Sequence, residues 1–228
     1  MKLLSKTIVV LLLITSCGKQ QDEKGVSKFN EDLADELHKM AVIDQVAAYI
    51  PQGIYKEWPT EKWEKFKDSV FKAHEKRVVE IFDKYGFVGI DVVGEEGSQN
   101  FWLLVQHSDQ NTAFQQKVLE KMEIEVKKNN ANSNNYALLV DRVNINTGKK
   151  QIYGSQLSYE VDEKNGNVQA VVKNLEDSLN VNKRRKAIGL DPLEKYLNQM
   201  TIMHYDMNKD VYLKKGIREP KLYLEKEN

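Results

Sequence analysis

The residues best suited to proton transfer lie directly after an apolar segment. Residues 102–105 are apolar, and Gln106, His107, Ser108 and Asp109 follow them. If the apolar segment is a helix, His107 lies at its C-terminal end, where free carbonyls and the helix dipole favour a protonated imidazole. Asp109 is close enough in sequence to orient the ring. An oriented imidazole can serve as a general base, so His107 and Asp109 are predicted site residues.

Two pairs of charged residues could bind an anion or satisfy buried backbone groups. Asp141 and Arg142 are adjacent, so they cannot face the same way on a helix and each needs its own partner. Arg184 and Arg185 are expected in the first turn of a short helix, where guanidinium groups bind carboxylate or phosphate through paired hydrogen bonds. For both pairs a structural role at a helix end stands beside the binding role.

A fourth cluster of polar residues occupies positions 151–156. In a strand Gln151 and Tyr153 point to one face, and Gln156 points to the other unless Gly154 bends the chain. A bulge or turn at Gly154 would let the three side chains converge. We therefore predict that this segment faces the helix end at His107 and lines a shared polar pocket with it.

Known catalytic and metal-binding motifs are absent from the sequence. It holds no GxxxxGK[ST] phosphate loop, no GxGxxG after a strand, no GxSxG elbow and no HExxH pair. Its four histidines are not paired at metal-ligand spacing, and its single cysteine excludes a cysteine-based metal site or an internal disulfide. We predict neither a metal nor a cofactor.

The four polar clusters, taken in order, resemble one bacterial family. That family, the domain-of-unknown-function family 6624, shows a WLLVQH-x-D block, a DR block, a Q-x-YG[TS]Q block and a V-[DN]-x-RR…GL-x-PL block. The resemblance covers residues 37–197, with Asp44-Gln45 and Tyr85-Gly86 as weaker matches. Ser155 stands where threonine is common and Asn182 where aspartate is common. The resemblance implies domain limits but no activity.

Helical periodicity organises most of the chain. Apolar residues predict helices over residues 30–50, 60–85, 99–107, 112–126 and 134–142. Asn30 is the expected N-cap of the first helix. Residues 86–97 hold four glycines and are expected to form a loop, after which Ser98 would cap the next helix. Asp44 falls in the middle of the first helix's apolar face, which predicts a buried carboxylate bonded to another element.

Strand signals are confined to residues 143–172. Thr147-Gly148 is expected to separate two short strands, and Asn165-Gly166 predicts a hairpin. Helices return at the end, with Asn182 as the cap of a short helix and Asp191-Pro192 opening a longer one. The sequence therefore predicts an α+β, mainly α fold, in which helices precede a small antiparallel β-sheet and C-terminal helices. A single globular domain would span residues 28–207, with a C-terminal arm over 208–228.

The first residues predict export and lipid anchoring. Lys2 and Lys6 precede an apolar run, 8–14, that is too short to cross a bilayer. The run ends in Ile14-Thr15-Ser16-Cys17, which resembles the lipobox of bacterial lipoproteins. The resemblance implies that residues 1–16 are a signal peptide, that Cys17 carries the acyl chains (palmitate, for example) and that residues 17–27 form a lipidated tether. Two or three acyl chains give stable membrane anchoring.

Composition limits the partners. The chain has 34 basic and 34 acidic side chains, and removal of the signal leaves a slight acidic excess, so nucleic acid is not an expected partner. The expected location is the cell envelope, and the absence of aspartate after Cys17 favours the outer membrane. The leading hypothesis is a domain that binds a small molecule or envelope component in a polar pocket. The alternatives are a hydrolase or transferase, with His107 as general base and an arginine clamp, and a purely structural lipoprotein.

Overall fold

Eight α-helices and three short strands form within residues 29–225, the part of the chain that the computed structural model describes. In chain order the helices and strands are α1 (Glu31–Ala48), α2 (Thr60–Tyr85), α3 (Ile90–Gln106), α4 (Thr112–Lys127), α5 (Ser133–Asn146), β1 (Leu157–Asp162), β2 (Asn167–Val172), α6 (Val181–Ala187), α7 (Leu193–Met207), α8 (Lys209–Lys214) and β3 (Glu219–Pro220). Two 3₁₀ turns occur, Gly53–Glu57 between α1 and α2, and Ser178–Asn180 between β2 and α6. The fold is α+β and mainly α, as predicted.

The five N-terminal helices enclose the larger hydrophobic core. Each of these helices contributes an apolar face, and the fully buried side chains at the centre are Leu37, Ile81, Phe101, Leu104, Met122 and Leu139. The first helix begins as predicted, because the side chain of Asn30 accepts a hydrogen bond from the backbone N–H of Leu33 at 3.1 Å. The second helix ends as predicted, because Gly86 follows Tyr85 with a φ of 74°.

The loop expected over residues 86–97 is wrong, because α3 already begins at Ile90 and Ser98 lies inside it. The helix is kinked at Gly94, and the glycine at 97 serves packing rather than a turn. A Cβ atom at Gly97 would lie 2.6 Å from the Cβ of Val93 and 3.6 Å from that of Ala34 on α1. The missing side chain therefore lets the backbone at Gly97 lie close to Val93 across the kink in α3.

Three other helix starts also differ from the predictions. The N-cap of α4 is Asn111, which accepts from Phe114 N–H, and not Thr112. Asn182 lies within α6, where its side chain accepts from Leu193 N–H at 2.7 Å and so joins α6 to α7. The helix α7 begins at Leu193, one residue later than expected from a cap at Asp191.

The predicted hairpin is confirmed, since β1 and β2 pair antiparallel around Asn165-Gly166. The strands expected on either side of Thr147-Gly148 are wrong: α5 runs to Asn146, and Thr147 Oγ1 donates to the carbonyl of Val143. Beyond Gly148, within the described chain, only an isolated bridge between Gln151 and Leu175 precedes β1.

The residues of the predicted C-terminal arm that the structure describes pack against the hairpin. The strand β3 adds to β2 in parallel, so the small sheet is mixed, in the order β1-β2-β3. Tyr212 and Ile217 are buried in a cluster with Val168 and Tyr205. A neighbouring cluster joins Ala170 to α6 and α7. All core clusters thus lie within residues 29–225. No helix in this range has the length and apolar character of a bilayer-spanning segment.

Candidate functional site

Asp44 is fully buried at a junction of three helices, which confirms the prediction made from its place on the apolar face of α1. Its exposed fraction is 0%. One carboxylate oxygen pairs with Nδ1 of His107, the residue that ends α3, and the other lies 3.5 Å from Nδ1 of His74 on α2. The carboxylate therefore joins residues that are far apart in sequence.

The ionised form of the Asp44 carboxyl is favoured despite the burial of this residue. Burial alone would raise its pKa, but the hydrogen bonds from His107 and His74, and the attraction to their charges, lower the pKa below its usual value. A buried carboxylate on Nδ1 fixes the orientation of the His107 ring and leaves Nε2 as its free nitrogen.

The His107 ring is partly exposed to solvent. Its side chain is 17% exposed, and Nε2 makes no hydrogen bond to any residue in the range 29–225. The ring of Phe71 packs edge-on against it at a centroid distance of 5.7 Å. The orienting carboxylate is Asp44, so the prediction that Asp109 orients this imidazole is wrong.

Asp109 instead forms an ion pair with Arg142. Arg142 Nε and Nη2 donate to the two carboxylate oxygens at 2.7 and 2.5 Å, and Asn146 donates to one of them at 2.9 Å. Burial would raise the pKa of Asp109, but these hydrogen bonds and the charge of Arg142 lower it. The pair joins the turn between α3 and α4 to α5. Two of the predicted site residues therefore bind each other.

The neighbouring Asp141 holds the segment that follows α5. Its carboxylate is fully buried and accepts from three backbone N–H groups: Ile152 at 2.6 Å, Tyr153 at 3.1 Å and Ser155 at 2.8 Å. These contacts replace the sheet partners that a strand here would need. Asp141 is thus the organising residue of residues 152–155, and it faces away from the Arg142 pair as expected.

The segment 151–156 turns at Gly154, which has a φ of 70°. The turn brings Gln151 and Gln156 together: the buried Gln151 side chain donates to the Gln156 carbonyl at 2.9 Å and accepts from its N–H at 2.8 Å. Gln156 in turn donates to the carbonyl of Leu138 on α5 at 3.2 Å. Tyr153 is half-buried, and this burial raises its pKa. The segment shares no hydrogen bond with His107.

Both predicted clamp arginines bind backbone carbonyls. Arg184 donates to the carbonyls of Ile152 at 2.8 Å and Glu176 at 2.5 Å. Arg185 donates to the carbonyls of Asp191 at 2.6 Å and Tyr153 at 2.7 Å. They therefore secure the turn at Gly154, and neither arginine makes a hydrogen bond to His107.

A cavity of about 440 Å³ lies where the turn meets α5 and α7. We call it the block cavity, because residues of the Q-x-YG[TS]Q and RR…GL-x-PL blocks line it, beside residues of α5 and α7. The lining residues are Asn134, Ala137, Leu138, Ser155, Arg185, Leu190, Asp191, Tyr196, Gln199 and Met200.

Several lining residues were not among the predicted site residues. Ser155 was recognised only as a variant position within its block, and Asn134 only as the first residue of a predicted helix. Tyr196 and Gln199 are three residues apart on α7 and so share one of its faces. That spacing, directly after the GL-x-PL block, is the signal that could have identified them.

The described residues contain no group of three or more histidine, cysteine or acidic side chains placed to hold a metal ion. Comparison with known proteins gives one match, to the model of a family of unknown function, DUF6624, over residues 31–207. No curated protein and no solved structure matches the chain.

Proposed function

Since the chain belongs to DUF6624, a family of unknown function, we propose its role from its own residues: a lipid-anchored envelope protein that binds a small molecule in the block cavity. The observation that carries the binding proposal is the meeting of two of the four sequence blocks at one cavity. Blocks separated by tens of residues supply polar groups to the same space.

The cavity has the size and composition of a small-molecule site. Such sites measure about 300–1,000 Å³ and combine apolar walls with a few placed polar groups. Here Leu138, Leu190 and Met200 supply apolar surface, while Asn134 and Gln199 supply amide groups. Both amide residues are exposed, so their hydrogen-bonding groups are accessible to a ligand.

One buried hydroxyl is left without a partner in this cavity. The Oγ atom of Ser155 is buried and makes no hydrogen bond, while the carbonyl of the same residue accepts from Tyr196 at 3.1 Å. An unsatisfied buried polar group is costly in a purely structural role, whereas a bound ligand would satisfy it.

A thermal-shift screen of metabolites and peptidoglycan fragments on the chain from Gly18 tests the binding proposal. For a hit, Ser155→Ala and Gln199→Ala should weaken binding with little change in the melting temperature of the free protein. Gln116→Ala on the exposed face of α4 is the matched control. Hits that bind both cavity variants as tightly as the control would count against the proposal.

The anchoring proposal concerns Cys17, which lies outside the described residues. We expect Cys17→Ala to abolish acylation and membrane retention, because the acyl chains have no other attachment point. Metabolic labelling with radioactive palmitate measures this directly. Label on the Cys17→Ala protein would refute the proposal.

The Asp44–His107 pair supports a second candidate, a hydrolase or transferase that uses His107 as general base. Nδ1 of His107 pairs with the buried Asp44 while Nε2 has no partner among residues 29–225. A positioned base contributes about 10²–10⁴-fold to rate. If the screen yields a substrate, His107→Gln should lower its turnover by at least that lower bound, and unchanged turnover would exclude this candidate.

A further inference from the structure

Arg185 is a buried cation without a carboxylate partner. Its exposed fraction is 2%, and it forms no ion pair within residues 29–225. Burial lowers the pKa of its guanidinium, which shows the cost of removing this charge from water. Buried charges in proteins are usually paired, so the unpaired cation requires an explanation.

The Arg185 guanidinium is held in place, but not all of its nitrogens have a hydrogen-bond partner. Nε and Nη1 donate to two backbone carbonyls, and the group lies over the ring of Tyr196 at 4.9 Å. Nη2 makes no hydrogen bond to the described part of the chain. The two hydrogen bonds and the Tyr196 ring therefore position Nη2, which can still donate a hydrogen bond.

Ser155, whose buried hydroxyl has no hydrogen-bond partner, lines the same cavity as Arg185. Two groups with unused hydrogen-bonding capacity therefore border one space, and both favour an oxygen acceptor. The carboxylate of Asp191, which also lines the cavity, is paired with Lys195 at 3.0 Å, and this pairing reduces its repulsion of an anion.

We propose that the block cavity binds an organic acid, whose carboxylate pairs with Arg185 and accepts from Ser155 Oγ while its apolar part lies against Leu138, Leu190 and Met200. This inference rests on the proposed binding function and names its ligand class. A single guanidinium, with no lysine in the cavity wall, suits a monoanion better than a phosphate dianion. A guanidinium also forms strong, charge-assisted hydrogen bonds to a carboxylate.

A matched pair of probes tests the inference on the chain from Gly18. The probes are 4-phenylbutyrate and 4-phenylbutyramide, which differ in charge but hardly in size. We expect the carboxylate to bind at least tenfold more tightly by isothermal titration calorimetry, because a charge-assisted hydrogen bond is lost in the amide. Phenyl phosphate, as a third probe, should bind more weakly than the carboxylate.

Ser155→Ala should weaken phenylbutyrate binding severalfold without destabilising the protein, since the hydroxyl has no partner to lose, and Gln116→Ala should leave binding unchanged. Arg185→Lys should remove most of the preference for the carboxylate. If that variant does not fold, the probe pair and Ser155→Ala decide the matter.

Equal or tighter binding of the amide, or of phenyl phosphate, would overturn the acid inference and leave the binding proposal standing. Absence of binding by all three probes would also overturn it, while the thermal-shift screen judges the binding proposal separately.

Discussion

Removal of the Asp141 carboxylate should destabilise the protein more than any other single change at the site. Asp141→Ala leaves three backbone N–H groups, those of Ile152, Tyr153 and Ser155, without their acceptor. The carboxylate is fully buried, so water cannot replace it without a rearrangement of the turn. The variant therefore tests whether Asp141 organises this segment.

The magnitude follows from the number of stranded donors. Each buried donor left unsatisfied costs about 1–3 kcal/mol, and partial opening of the turn would let water reach some of them. We expect a loss of about 3–6 kcal/mol in the free energy of unfolding, a large part of the roughly 5–15 kcal/mol typical of a folded domain. Asp141→Asn should lose less, because one acceptor oxygen remains.

Urea denaturation followed by circular dichroism gives the free energy of unfolding for each variant. Asp83→Ala, on the exposed face of α2, is the matched control and should change stability by less than about 0.5 kcal/mol. An Asp141→Ala protein within about 1 kcal/mol of the parent would refute the assignment of Asp141 as the organiser of the turn.

Two further changes probe the helical core. Asp44→Ala should cost on the order of 1–3 kcal/mol by stranding His107 and His74, measured by urea denaturation, and a cost near zero would contradict the buried-acceptor role. Because the pKa of Asp44 is lowered in the folded state, its contribution is complete above its usual value near 3.8 and is lost as pH falls through the lower folded value. The variant should therefore lose less stability than the parent below about pH 4, as stability measurements from pH 2 to pH 7 would show. Gly97→Ala should destabilise by about 1–3 kcal/mol, because its Cβ would lie 2.6 Å from that of Val93, and an unchanged melting temperature would contradict this close packing across the kink in α3.

The sequence predicted the elements whose signals are local. Asn30 and Gly86 mark the ends of α1 and α2, and Asn165-Gly166 marks the hairpin, because caps and tight turns depend on a few adjacent residues. The stretch 86–97 misled the prediction, because its glycine at 97 serves close packing against Val93 within the kinked helix and not a turn. A glycine required by packing has the same sequence signal as a glycine required by a turn.

Of the residues predicted for the pocket, only Arg185 lines the block cavity. His107 was expected beside Asp109, two residues away, yet it pairs with Asp44, which is 63 residues away. Arg185 was expected to face a ligand, and two of its nitrogens instead bind backbone carbonyls. Which side chains meet depends on helix packing, and no local pattern in the sequence encodes that.

Chemical-shift mapping tests the central claim, that the block cavity is a ligand site, most directly. The ¹⁵N-labelled chain from Gly18 would be titrated with the tightest hit of the thermal-shift screen, and backbone and side-chain amide shifts followed. We expect the largest shifts on Asn134, Ser155 and Gln199 around the cavity. Shifts centred on Asp44 and His107, with those three unchanged, would contradict this claim.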